Sequence, residues 1–297
     1  MAPTLQTFIH SFNSKLEEPV RQHLKNVYAC LTMSTIAASV GAYVHVFTQL
    51  LSAGFLTVIG SMGLLVALMA TPDNGKNRKL RLGYLLGFAF FTGLGMGPLL
   101  EMVIQVDPSI IVTALIGTVV IFVSFTLSSL MAERGRWLYL GGTLMSLLSA
   151  LLVLSLANLF IGSYLIFQGY LYIGLALMCG FVLYDTQLII EKRRNGDKDF
   201  VAHSVDLFVD LIGIFRRLVI ILTQRSLAQS GHTLRSEPLL HLRDVTNITA
   251  STITNKTDLK FLGVSQQSSG RRLSAKIGTI SEDIGCLCSQ HNGPSDR

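Results

Sequence analysis

Long apolar runs separated by short polar clusters fill the first three quarters of the chain. They fall at Val27–Leu50, Ser52–Ala70, Leu82–Met102, Ile110–Met131, Leu138–Phe160 and Tyr164–Ile190. A bilayer core takes about 20 apolar residues per helix. The runs are continuous and not alternating, which predicts helices and not the strands of a membrane barrel. A seventh segment, Val201–Gln224, has the length but is interrupted by Asp206, Asp210, Arg216 and Arg217. The expected fold class is an all-α membrane protein of six to seven transmembrane helices in a bundle, the seventh central or re-entrant. Residues 1–26 hold no apolar core followed by a cleavage site, so the first span is expected to act as its own targeting signal. The chain divides into a cytosolic N-terminal segment (1–26), a transmembrane bundle (27–224) and a mostly disordered tail (225–297).

Composition sharpens this division. Half of the residues are hydrophobic and 14% are charged, against about a quarter charged in soluble domains. Between Val27 and Ile190 only 11 side chains in 164 residues are charged, whereas from Thr223 onward about a quarter of the residues are Ser or Thr. Cysteines at 30, 179, 286 and 288 make no disulfide framework. The net charge of +6 is spread over separate loops, which argues against a nucleic-acid binder.

The loop charges alternate. Lys15, Arg21 and Lys25 precede the first span; Lys76, Arg78, Lys79 and Arg81 follow the second. Arg134 and Arg136 follow the fourth, and Lys192, Arg193, Arg194 and Lys198 follow the sixth. The intervening loops carry no Lys or Arg. Basic residues gather on the cytosolic side, so the N-terminus and these loops are expected there. Trp137 then reads as an interfacial anchor, and His45 as a packed polar side chain near the lumenal end of the first span.

Small residues mark close helix contacts in lipid. Gly83, Gly87, Gly93 and Gly97 recur in the third span, and Gly169, Gly174 and Gly180 in the sixth. The cluster Gly93, Gly95, Gly97 and Pro98 stands just before Glu101 and reads as a hinge beside a carboxylate. It lies inside an apolar span and is not a dinucleotide fingerprint.

Intramembrane charges are costly and mark function. The first six spans contain two, Glu101 and Asp185. Glu101 sits at the lumenal end of the third span near Asp107, and the two form a candidate cation-attracting mouth. Asp185 lies about two turns inside the cytosolic boundary, on the order of 9 Å. Asp206 and Asp210, four apart and hence on one helix face, enter from the same side to depths of about 9 and 15 Å. The depth count pairs Asp185 slightly better with Asp206 than with Asp210. Two carboxylates sharing a buried site cannot comfortably both ionise. Such a pair takes up a proton in acid and, when ionised, attracts a cation: a pH sensor. No stable metal site or cofactor is expected.

The stretch Gly180-Phe-Val-Leu-Tyr-Asp-Thr-Gln-Leu-Ile-Ile-Glu191, followed by Asp206-Leu-Phe-Val-Asp210 and Phe215-Arg216, resembles the transmembrane Bax inhibitor motif family. Gln22-His-Leu-Lys-Asn-Val-Tyr-Ala29, Gly41-Ala-Tyr-Val-His45, Met69-Ala-Thr-Pro72 and Gly97-Pro-Leu-Leu-Glu101 extend the likeness over about residues 15–225. The resemblance implies seven helices with the last packed centrally, residence in the endoplasmic reticulum membrane, a pH-dependent Ca²⁺ leak and suppression of apoptosis. It implies modulation of the unfolded protein response, with Bcl-2-family proteins and stress sensors as partners. It makes Asp185 and Asp210 the pH-sensing pair and gate, with Asp206 auxiliary, and makes calcium a permeant ion that binds transiently at Asp185 and Asp210. Two departures stand out. Some bacterial relatives hold the pair with an arginine from the second span, and Ser52–Ala70 has no charge. The family also ends in a short Lys-rich tail, where this chain has a long Ser/Thr-rich one.

In that tail Asn247-Ile-Thr249 and Asn255-Lys-Thr257 are glycosylation sequons, usable on the lumenal side, and Arg271-Arg-Leu-Ser274 is a kinase-like site, usable on the cytosolic side. Cys286 and Cys288 lack a second ligand pair for a metal. Two other function classes compete with the channel. An intramembrane aspartyl protease would share a proton between two aspartates, but such enzymes carry Gly-x-Gly-Asp, and here the residues are Leu207-Phe-Val-Asp210. The chain is therefore not expected to be an enzyme. A membrane scaffold that restrains cell-death factors by contact is the other.

Overall fold

A computed structural model describes residues 17–48, 55–161 and 163–229, and everything in it is helix, turn or connecting loop. The helices are α1 (Glu18–Thr48), α2 (Phe55–Ala70), α3 (Arg78–Gly95), α4 (Gly97–Val106), α5 (Ser109–Met131), α6 (Leu140–Ile161), α7 (Tyr164–Arg194) and α8 (Phe200–Gln229). The tail features (the two sequons, Arg271–Ser274, Cys286 and Cys288) and Lys15 lie outside the described residues. So do residues 49–54, between the first two spans.

Four helices are long and apolar enough to cross a membrane, in α1, α5, α6 and α7, and α3 with α4 makes a fifth if counted as one bent span. This is fewer than the six to seven expected, for two physical reasons. The described part of α2 is 16 residues long, and α8 carries four charged side chains in its apolar sequence. The bent pair meets at an angle of 41°. Met96 joins the two helices, and Pro98 stands in the first turn of α4, where it has no N–H to give and its ring excludes a continuing helical carbonyl.

α8 organises the bundle. It packs against α1, α3, α4, α5 and α7, and its buried residues, from Val201 to Gln224, point in every direction around the axis. A helix buried all round is a core helix. It runs unbroken for 30 residues, about 45 Å. Its first three turns lie beside α3, Phe200 against Arg78 and Phe208 against Phe88. Its last turns, Val219–Ile221, join Leu99, Val103, Ile110 and Phe167 in a cluster at the opposite end. The helix therefore runs without a break from one end of the described bundle to the other.

Close helix contact depends on a few glycines. A Cβ on Gly93 would overlap the carbonyl of Ala38, and one on Gly41 would overlap that of Phe90. Both are backbone-to-backbone contacts between α1 and α3, which no side-chain rearrangement can relieve. Gly83, by contrast, faces open space.

One end of the bundle is clasped by polar contacts that collect all four basic segments. Arg193 donates to the Pro19 carbonyl and Arg194 pairs with Glu17 at 3.5 Å, joining α7 to the start of α1. Arg134, after α5, pairs with Glu191 at 2.7 Å. Arg81 of α3 is 3% exposed and reaches Asp199 at 2.5 Å and Asp73 at 3.8 Å. Asp199 also accepts the N–H of Ala202 at 3.0 Å, so a single carboxylate caps α8 and neutralises a buried guanidinium. The preceding turn ends α7: Asp197 N–H reaches the Lys192 carbonyl, Gly196 N–H reaches that of Arg193, and Gly196 takes φ +95°. That left-handed residue is the usual way to stop a helix, and glycine fits it without strain. Finally, the buried rings of His23 and His203 meet at 2.9 Å between Nε2 and Nδ1, and His203 Nε2 approaches Asp197 at 3.5 Å.

Asp197 titrates below the ordinary carboxylate range. Burial alone would raise its pKa, but the His203 ring, the Asp199 N–H and the charge of Lys192 outweigh it and hold the value at about 2.

Two predictions follow from these contacts. Gly93→Val should cost about 2 kcal/mol or more, since overpacking a fixed contact destabilises, while Gly83→Ala should be neutral or slightly stabilising. Thermal unfolding of the detergent-solubilised proteins measures both, and equal midpoints for Gly93→Val and wild type would contradict the contact. For Asp197 the folded pKa lies below the unfolded value of about 3.9, so its stabilisation is complete above about pH 4 and fades as pH falls toward 2. Asp197→Asn should therefore lower the unfolding midpoint at pH 5. About half of that deficit should be gone by pH 3; a deficit that grows in acid would rule the carboxylate out as its source.

Candidate functional site

α7 and α8 are antiparallel neighbours joined by the short turn at Gly196, and the charged residues of the bundle interior lie between them. On α7, Gly174, Met178 and Asp185 fall on one stripe, and on α8 Asp206, Asp210, Gly213 and Arg217 fall on another, at helical spacings of three, four and seven. Two contacts fix the register. A Cβ on Gly213 would lie 2.9 Å from the sulfur of Met178, and a Cβ on Gly174 would lie 2.5 Å from Nε of Arg217. Counting back from both, Asp185 is level with Asp206, and Asp210 lies one turn, about 6 Å, further in. Asp185 is 1% exposed and Asp210 0%, while Asp206 is half-buried. Level and burial thus single out different partners for Asp185.

Neighbouring helices hold the Asp185 segment by polar contacts on either side of it. Ser129 Oγ on α5 donates to the Leu183 carbonyl at 2.7 Å. Gln187 donates to the carbonyls of Ser129 and Glu133 and accepts the N–H of Trp137 at 2.8 Å. Trp137, read from sequence as an interfacial anchor, is thus also pinned through its backbone to α7. A cavity of about 270 Å³ opens beside these groups, lined among others by Ser129, Glu133, Arg134, Gln187 and Glu191. It reaches α7 at Gln187, two residues from Asp185 but on the side of the helix that faces α5.

Beyond the carboxylates the same interface changes sign. Arg216 and Arg217 are 8% and 5% exposed. Arg217 donates to the Gly213 carbonyl at 3.0 Å, and its guanidinium stands 5.7 Å from the Tyr170 ring centroid.

Glu101 and Asp107 were expected to share the mouth at the other end. They have different partners. Glu101 lies 3.5 Å from Nε2 of His45, which is itself buried. The His45 ring fills the space that a side chain at Gly97 would take, so this glycine, grouped above with the hinge, also seats the ring. Asp107 accepts the N–H of Ser109 at 2.9 Å at the start of α5; that bond and the Ser109 hydroxyl hold its carboxyl below the usual range. His45 had been read only as a packed polar residue. The available signal was positional: His45 and Glu101 are the ionisable groups at the same-side ends of the first and third spans. The bend places Gly93 and Gly95 before Met96, and Gly97 and Pro98 after it. Among the described residues no group of three or more His, Cys, Asp or Glu side chains is disposed to hold a metal ion.

The comparisons with known proteins bear on the same stretch. The family model described as "Inhibitor of apoptosis-promoting Bax1" matches residues 20–226, which take in Glu101 and all three aspartates of α7 and α8. The chain is 55% identical over 209 residues to "Probable Bax inhibitor 1" of Paralichthys olivaceus, covering 70% of this chain and 88% of that one. Against "Bax inhibitor 1" of Homo sapiens the identity is 53% over 209 residues, with the same two coverages. Against that of Arabidopsis thaliana it is 41% over 213 residues, covering 71% and 85%. With its matched residues forming a bundle of membrane-spanning helices, the chain belongs to the Bax inhibitor 1 family of multi-pass membrane proteins.

Proposed function

We propose that this protein is a pH-sensitive Ca²⁺ leak channel of the endoplasmic reticulum membrane, through which apoptosis and endoplasmic reticulum stress are restrained. The observation that carries the reading is the burial of Asp185 and Asp210 on facing stripes of α7 and α8. Carboxylates in a bilayer are kept only where they work. In this reading the clasped, basic end is cytosolic, α3 and α4 form one bent crossing, and α2 and α8 complete seven. Asp185 and Asp210, with Asp206 at the approach, are sensor and gate. Ionised, they offer a divalent cation a short-lived oxygen site, as permeation needs; protonation removes that charge. Glu101 and Asp107 stand at the lumenal mouth, and the break at Gly93–Pro98 lets that end of the path move.

A second reading is favoured by the relatives' own names, which describe inhibition of a protein and not transport. In it the bundle is a scaffold that engages Bcl-2-family proteins and stress sensors, and both roles can coexist. Retained partner binding by an Asp210→Asn variant that has lost flux separates them.

The test is Ca²⁺ flux from liposomes containing the full chain, followed between pH 7.5 and pH 6. Wild type should change its flux at least threefold over that interval. Asp185→Asn and Asp210→Asn should each flatten the profile, and Asp206→Asn should shift it less. Unchanged flux and unchanged pH dependence in both of the first two variants would overturn the channel mechanism.

A further inference from the structure

The arginines of α8 take no part in the mechanism above, yet they lie on the same path. Arg217 is seven residues from Asp210, two turns along one face of α8, about 10 Å deeper in the bundle. Its guanidinium is buried, its Nε has no hydrogen-bond partner, and the groups that hold it are neutral: the Gly213 carbonyl and the Tyr170 ring. These contacts fix the position of the charge without cancelling it. The notch is shaped for it. Gly174 leaves the space that Nε occupies, and a Cβ there would stand 2.5 Å from that atom. Gly213, on the same stripe as Arg217, leaves its face to the Met178 sulfur, which a Cβ there would meet at 2.9 Å, with Arg217 Nη1 at contact distance, 3.4 Å. A full charge held deep in a membrane bundle costs several kcal/mol, so its retention in a fitted seat calls for a use.

We propose that Arg217 is the charge barrier of the cation path between α7 and α8: seated over Gly174, it sets how slowly a divalent ion passes once it has left the carboxylates. This rests on the leak-channel reading. Fixed positive charges in a pore wall exclude cations by the same means elsewhere. The barrier scales with the valence of the ion. At about 10 Å and an effective dielectric constant of about 20, one unit charge disfavours a monovalent cation roughly fifteenfold and a divalent one roughly 250-fold, and more strongly at closer approach. Ionic screening reduces both factors and keeps their order.

The full chain is reconstituted in liposomes, and Ca²⁺, K⁺ and a neutral solute such as sucrose are followed in parallel. Arg217→Gln should raise Ca²⁺ flux at least threefold, raise K⁺ flux by a smaller factor and leave sucrose retained. Arg217→Lys, which keeps the charge, should stay within twofold of wild type. Where Arg217→Gln does not assemble, Gly174→Ala serves instead: it pushes the guanidinium from its seat and should change Ca²⁺ flux at least threefold. Wild-type Ca²⁺ flux in Arg217→Gln, or an equal rise for all three solutes, overturns the proposal, as does wild-type flux in Gly174→Ala where that variant decides. The two levels of inference fail separately. If Asp185→Asn and Asp210→Asn both pass Ca²⁺ as wild type does at every pH, the leak-channel mechanism is wrong. If only the Arg217 variants match wild type, the channel stands and the barrier does not.

Discussion

A helix that carries two aspartates and two arginines within apolar sequence cannot be left facing lipid, where each exposed charge costs several kcal/mol, and the arrangement of the whole bundle follows from that constraint. α8 is wrapped by α1, α3, α4, α5 and α7, and Asp210, Arg216 and Arg217 are almost fully enclosed. The wrapping helices can be apolar on their outer faces because the charges they carry, Asp185 of α7 and Arg81 of α3, are turned inward. α5 shows the consequence: Val112, Ile116, Val119 and Val120 are exposed outward, while Ala114 and Thr118 are buried. Such a helix has almost no amphipathic contrast, since lipid and protein interior ask for similar residues.

Wrapping one helix with five demands close approach, and the glycines supply it where two backbones meet. Gly93 and Gly41 let α1 and α3 touch carbonyl to backbone. Gly174 and Gly213 do something different on α7 and α8, leaving room for one guanidinium and one thioether. At the clasped end the same demand is met by polar groups: Arg81 on Asp199, Arg134 on Glu191, His23 on His203. These contacts hold the starts of α1, α3 and α8 and the end of α7 together, so the register of the carboxylates is fixed from outside the membrane as well as from within. Asp199, as both helix cap and ion-pair partner, links the two.

Much of this is legible in the sequence, and the parts that are not share a cause. Runs of apolar residues place most of the helices to within about five positions, because hydrocarbon thickness imposes a length; α1 is the exception, beginning at Glu18, nine residues before its apolar run. The gathering of the basic loops at one end is legible for a similar reason. Asp185 and Asp210 stand out because charge is rare between them and the ends of the chain's apolar runs. Long-range pairings leave no such mark. Nothing in the sequence ties His23 to His203, 180 residues away, or Gly174 to Arg217, since each is chosen by the other's shape in the folded bundle. Glu101 was assigned to Asp107 because the two are near in sequence; the structure gives it His45, which is near only in space. The choice between Asp206 and Asp210 also exceeds what spacing can decide. Register puts Asp206 level with Asp185, whereas burial favours Asp210, and one helical turn separates the answers.

The missing charge in the second helix then takes on a different meaning. Some bacterial relatives hold the aspartate pair with an arginine reaching in from that position, whereas here α2 is apolar throughout and packs mainly on α3, away from the α7–α8 interface. A cation supplied from α2 would have to cross that layer to reach Asp185 or Asp210. The cations already inside the interface belong to α8 itself, two turns from the carboxylates and on the same helix, so their distance from Asp210 cannot change by helix sliding. A closing charge carried on a neighbouring helix acts as a latch that engages and releases. One carried on the same helix acts as a constant field; under the leak-channel reading proposed above, opening and closing then fall to the carboxylates' own protonation or to the bend at Met96 at the far end.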